Sequence, residues 1–196
     1  MVHGLSTRNL VYIAVFAASW GVVEIIIGSA LKAMQVPFGG LIISTLAVII
    51  LVVSRAYLNF FGAQMAIGAV TALVKVFASI GGVVITPVLA IMAEAVLFDV
   101  VISLIGFSRI GAAAAGAMPP VWSFAQPFIT FPLLFGLPLD RYYANLLDLF
   151  GSPMGLNEDS LALVLLVALT IYAVAGVAGG LIGWGTSKYM RDATAR

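Results

Sequence analysis

Long apolar stretches, parted by short polar breaks or breaks rich in glycine and proline, run the length of the chain. Their lengths predict six membrane-spanning helices, at about residues 8–33, 39–54, 58–80, 84–106, 108–136 and 160–187. The expected fold class is therefore an all-α membrane protein, with residues 1–196 forming one integral membrane domain. Each break has a physical cause: VPFGG (36–40) carries a proline and paired glycines, SRAYLN (54–59) is polar, IGG (80–82) is flexible, and GFSRIG (106–111) joins glycine to a charge. The longest polar stretch follows the fifth span. In it Leu139, Tyr142, Leu146, Leu149 and Phe150 recur at helical spacing, which predicts an interfacial segment over 138–159 on the outer surface.

The fifth span is unusual in holding Pro119, Pro120, Pro127 and Pro132. Each removes a backbone donor and disfavours the α conformation in the residue before it, so this helix is expected to be kinked or proline-broken. Irregular backbone inside a bilayer needs protein or a water-filled cavity beside it, and the span is expected to border one. The first apolar run is too long for a removable leader and lacks a small-residue cleavage pattern, which predicts a retained span. No repeat relates the two halves, an argument against an inverted-repeat carrier.

Composition agrees on the medium: 63% of residues are apolar, 9% are charged, and mean hydropathy is +1.18. Charge sets the orientation. Arg8, Arg55, Arg109, Lys188, Arg191 and Arg196 fall on one side of the six-span ladder, against Lys32 and Arg141 on the other, with Lys75 inside a helix. Asp140, Asp148, Glu158 and Asp159 share the second side, so the basic side, with both termini, is expected to face the cytoplasm of a plasma-membrane protein.

Several chemistries lose their support. Absence of cysteine excludes disulfides and thiolate metal sites. There is no G-x-x-x-x-G-K-[ST] loop, no H-E-x-x-H and no G-x-S-x-G, and the lone His3 near a free end reads as solvated. The sequence therefore makes no case for an enzyme, a metal or a cofactor in this chain. A net charge of +1, spread along helix ends, gives no nucleic-acid signal.

What remains is a set of charges inside the spans. Glu24 lies in the first, Lys75 in the third, and Glu94 and Asp99 in the fourth. At a rise of ~1.5 Å per residue, Glu24 and Glu94 sit roughly 14–15 Å below the outer ends of their helices and Lys75 about 8 Å below, so the three can converge. Two carboxylates and one ammonium leave excess negative charge unless one carboxyl keeps its proton, and a cationic or amine-bearing ligand would compensate it. The competing reading is a buried pair that only locks helices. Asp99 points toward the cytoplasmic end, where Arg55 or Arg109 can pair with it. Ala14, Ala17, Ala18, Gly21 and Gly28 form a small-residue sector bordered by Glu24, of the kind used for close helix packing. Trp122, Phe124, Phe128 and Phe131 crowd the proline-rich span. Such aromatics usually face lipid or the interface, and Trp122 and Gln126, next to the prolines, are the two singled out as walls of a ligand site.

Six spans with both ends inside, AVFAA giving Ala14-x-x-x-Ala18 in the first helix, and GAVTALVKVFASIGG in the third together resemble the S-components of energy-coupling-factor (ECF) vitamin transporters. The resemblance spans nearly the whole chain. It implies a subunit that binds a small vitamin or vitamin precursor near the outer side, between the later helices and under outer loops, roles that the fifth span and residues 138–159 suit; the ligand contacts expected from the chain's own charges and aromatics are Glu24, Lys75, Glu94, Trp122 and Gln126. It also implies that Ala14 and Ala18 dock on a transmembrane T-component, and that two cytoplasmic ATPases, not this chain, use ATP. AEAVLF around Glu94 is similar to members that handle thiamine or its hydroxymethylpyrimidine precursor; a carboxylate vitamin would instead use Lys75. The alternatives from other classes are a structural or assembly subunit of a membrane complex and a small proton-coupled carrier.

Overall fold

The computed structural model describes residues 6–36, 38–78, 85–136, 138–148 and 160–194, and among these the fold is helical without strands. Helix α1 runs over Thr7–Ala33, α2 over Gly39–Tyr57, α3 over Ala63–Ala78, α4 over Ile85–Ile105, α5 over Arg109–Phe135, α6 over Asp140–Leu146 and α7 over Leu161–Thr194. Four of them, α1, α2, α4 and α7, are long and apolar enough to cross a membrane, whereas α3 is apolar but shorter. The end of the expected third span and most of the interfacial segment, 149–159, lie outside the described residues; α6 is the part of that segment within them.

Helix starts follow from local chemistry. Ser6 caps α1 by accepting from the Asn9 amide at 3.2 Å, and Ser108 accepts from Gly111 at 3.0 Å at the head of α5. Pro87 sits in the first turn of α4, where its missing N–H has no helical partner to lose. The head of α3 is capped from a distance. Asp99 Oδ2 in α4 accepts from the backbone N–H groups of Gly62, Gln64 and Met65 at 2.9, 3.2 and 3.3 Å. Its Oδ1 accepts from Arg55 Nη1 at 3.0 Å, and Arg55 also donates to Gln64 Oε1, Ser103 Oγ and the Phe60 carbonyl. Arg55, not Arg109, is thus the partner of Asp99, and the cluster ties the ends of α2, α3 and α4 together.

One expectation needs correction. Helix α5 continues from Arg109 to Phe135 with all four prolines inside it, so the span is not broken in its secondary structure. Its neighbours explain the persistence: α5 packs along α7, α4 and α2, and these contacts hold it across the ladder bonds that the prolines delete. The α5–α7 contact is a backbone-close crossing of small residues. A Cβ added at Gly116 would meet the Gly176 carbonyl at 2.7 Å and the Gly180 Cα at 2.9 Å. The main core, with Trp20, Leu51, Ile67 and Phe98 fully enclosed, lies among α1 to α4 and takes in Ala112 and Ala115 of α5; a smaller cluster of Phe124, Leu146, Val164 and Ala168 seats α6 on α5 and α7.

Candidate functional site

Helix α1 departs from regular geometry at one place, a π-turn over Val23–Ile27 in which the Gly28 N–H reaches back five residues to the Val23 carbonyl. Glu24 stands inside it. Such turns interrupt the i→i−4 ladder and recur at functional sites. Here Lys75 of α3 enters the interruption: its Nζ donates to the Glu24 backbone carbonyl at 2.8 Å and stands 3.6 Å from Glu24 Oε2. Both side chains are largely buried, 14% and 12% exposed.

Close packing brings the helices to this point. A Cβ at Gly21 would touch Val74 Cγ1 at 3.2 Å, and the Thr71 hydroxyl donates to the Ala17 carbonyl at 3.2 Å, so α1 and α3 are joined one turn from the ion pair. On the other face of α3, Gly68 lies directly against Ala95 of α4. Next to that contact Glu94 lies in the interior, 4% exposed; its Oε2 has no hydrogen-bond partner among the described residues, and Glu24 is within Coulombic range. The Trp20 indole N–H faces the Glu24 carboxyl without reaching hydrogen-bonding geometry.

Beside the pair lies a cavity of about 490 Å³. Glu24 and Lys75 contribute to its walls together with Lys32 from the end of α1, Gln35 from the turn beyond it, Gly39 and Gly40 from the start of α2, and Pro87 from α4. Its size is that of a small-molecule site. Three of the five residues expected to bind ligand are not on this wall. Glu94 is buried and is not among its lining residues. Gln126 donates from Nε2 to the Thr86 carbonyl at 2.8 Å and so fixes the first turn of α4, next to Pro87. Trp122 belongs to a separate apolar groove of about 420 Å³ with Met92, Val96, Ile129 and Leu133.

The small-residue sector of α1 also divides. Ala17 and Gly21 are buried against α3, whereas Ala14 and Ala18 are exposed on the outside of the bundle. Lys32 and Gln35 are not among the expected site residues, because Lys32 reads as an outer loop charge.

Comparison with protein-family models, curated proteins and solved structures finds no match to this chain. The class that the fold and the cavity define is an all-helical bundle of membrane-spanning character with a half-open, ion-paired pocket at the end of α1.

Proposed function

We propose that the chain is the substrate-binding and translocating subunit of an ECF-type importer, a multi-pass plasma-membrane protein with six spans and cytoplasmic termini. Its ligand is a small vitamin or vitamin precursor, of the thiamine or hydroxymethylpyrimidine kind. The observation that carries this reading is the cavity of about 490 Å³ walled by the Glu24–Lys75 pair. A pair that served only to lock helices would be packed over, because voids beside buried charges cost packing energy and leave the charges poorly compensated. The exposure of Ala14 and Ala18 adds support, since it leaves a smooth strip of α1 on which a T-component helix can approach closely. Energy then comes from the ATPases of the partner complex, and this chain performs no covalent chemistry.

The second reading, a structural subunit, draws on the direct Lys75–Glu24 bond between α1 and α3. Uptake and assembly separate the two. In membranes holding the chain with a T-component and two ATPases, uptake of a radiolabelled vitamin should require ATP hydrolysis and persist when the proton gradient is collapsed. Ala14→Leu with Ala18→Leu should abolish recovery of the complex while leaving the chain's own thermal stability unchanged. ATP-independent vitamin uptake, or full complex recovery with both leucines present, would defeat the proposal.

A further inference from the structure

The end of the bundle that holds the start of α5 and the finish of α7 gathers positive charge in one corner. Phe107, in the turn before α5, packs edge-on against Trp184 of α7 with ring centroids 4.8 Å apart. The Arg191 guanidinium lies over the same Phe107 ring, 5.9 Å from its centroid. Arg109 follows Phe107 by two residues, and Lys188 stands about one helical turn from both Trp184 and Arg191, so three cations are brought to one aromatic contact.

All three are exposed, and none forms a salt bridge among the described residues. Asp99 is spent on Arg55, which leaves the exposed Asp192 as the acid at this end. Positive charge is therefore in excess. Charge bias across a membrane asks only on which side cations fall, and does not require them to be gathered at a pair of packed rings. Arg8 shows the contrast: it lies apart from the corner, over the Tyr12 ring that packs on Tyr57 at the end of α2.

Depth points to the partner. From Leu161 to Ser187 α7 carries no charge, a length of about 40 Å at ~1.5 Å per residue against a hydrocarbon core of ~30 Å. Lys188 and Arg191 thus come at the level of lipid headgroups, the level that residue types such as Trp184 and the exposed Tyr189 favour. On the hydrocarbon side of the cations the surface turns aliphatic at once, with Leu104, Ile110 and Ile182 exposed. Cations above and aliphatic side chains below match an amphiphile with a negative head, whereas an acidic protein segment would match the cations alone.

We infer that this corner binds an anionic membrane lipid, its phosphate held by Arg109, Lys188 and Arg191 and its acyl chains lying along Leu104, Ile110 and Ile182. An arginine fork takes two phosphate oxygens at once, and packing over Phe107 restricts the Arg191 side chain before the lipid arrives. The site lies at the opposite end of the bundle from the Glu24–Lys75 cavity and does not depend on what that cavity holds.

Native mass spectrometry of the purified full chain tests the inference, with phosphatidylglycerol and phosphatidylcholine of identical acyl chains added in equal amounts. The wild type should retain phosphatidylglycerol ~10-fold or more over phosphatidylcholine, and the preference should shrink as salt is raised. Arg109→Gln combined with Arg191→Gln should bring the two lipids to within ~2-fold of each other at unchanged melting temperature, and Lys188→Gln alone should lower the preference several-fold. Arg8→Gln should leave it as it is, and soluble glycerol phosphate, which lacks the chains, should not displace the lipid. Equal retention of the two lipids by the wild type would overturn the inference and leave the corner to an acidic protein segment. A preference that survives the substitutions, that falls equally in Arg8→Gln, or that glycerol phosphate abolishes would overturn it as well.

Discussion

The ammonium of Lys75 donates to the backbone carbonyl of Glu24 at 2.8 Å and stands 3.6 Å from the carboxylate of the same residue. One side chain thus serves two acceptors and holds the interrupted ladder of α1 against α3. A lysine stem can bury its carbons while its charge reaches a polar target, which suits it to this position.

Lys75→Met keeps much of the apolar stem and removes the donor. We expect it to destabilise the fold by ~1–3 kcal/mol, since a buried carbonyl and carboxylate lose their partner. Thermal unfolding in detergent measures this, and hydrogen exchange localises it: amides of residues 20–30 should exchange faster, those of α7 should not. Unchanged exchange across the π-turn would mean that Lys75 does not support it.

A larger loss is expected at the other polar cluster. Asp99→Asn removes the charge facing Arg55, which is 5% exposed, and weakens the cap on α3. Breaking one side of such a buried pair costs about 3–5 kcal/mol. Thermal unfolding should register it, and compounds bound at the chamber should be released only as far as the whole fold is lost, because Asp99 is not among the chamber's walls.

Natural absence of cysteine makes orientation directly measurable. Gln35→Cys should react with a membrane-impermeant maleimide added to intact cells, and Lys188→Cys only after permeabilisation. The opposite pattern would invert the chamber relative to the membrane.

Much of the fold follows from periodicity and breaks. The starts of α1 and α5 lie within a residue of the expected positions, because Ser6 and Ser108 cap them with their own side chains. Depth and the reach of a lysine stem bring Lys75 toward both carboxylates, whereas its choice of Glu24 over Glu94 is set by the packing of α1 on α3. Two things are not legible in the sequence. The continuity of α5 depends on neighbouring helices that no local rule about proline contains. The π-turn at Glu24, whose backbone carbonyl accepts from Lys75, is an insertion of one residue that leaves no mark in residue spacing. Trp122, singled out for its place beside the prolines, lines a groove apart from the Glu24–Lys75 cavity.

The central claim is that the Glu24–Lys75 chamber holds a small molecule. Native mass spectrometry of the full chain released gently from its membrane tests this most directly. The account predicts one discrete small-molecule adduct on the wild type that is absent from a Glu24→Ala variant of equal folded yield. A bare polypeptide mass in every wild-type preparation, or the same adduct on Glu24→Ala, would contradict it.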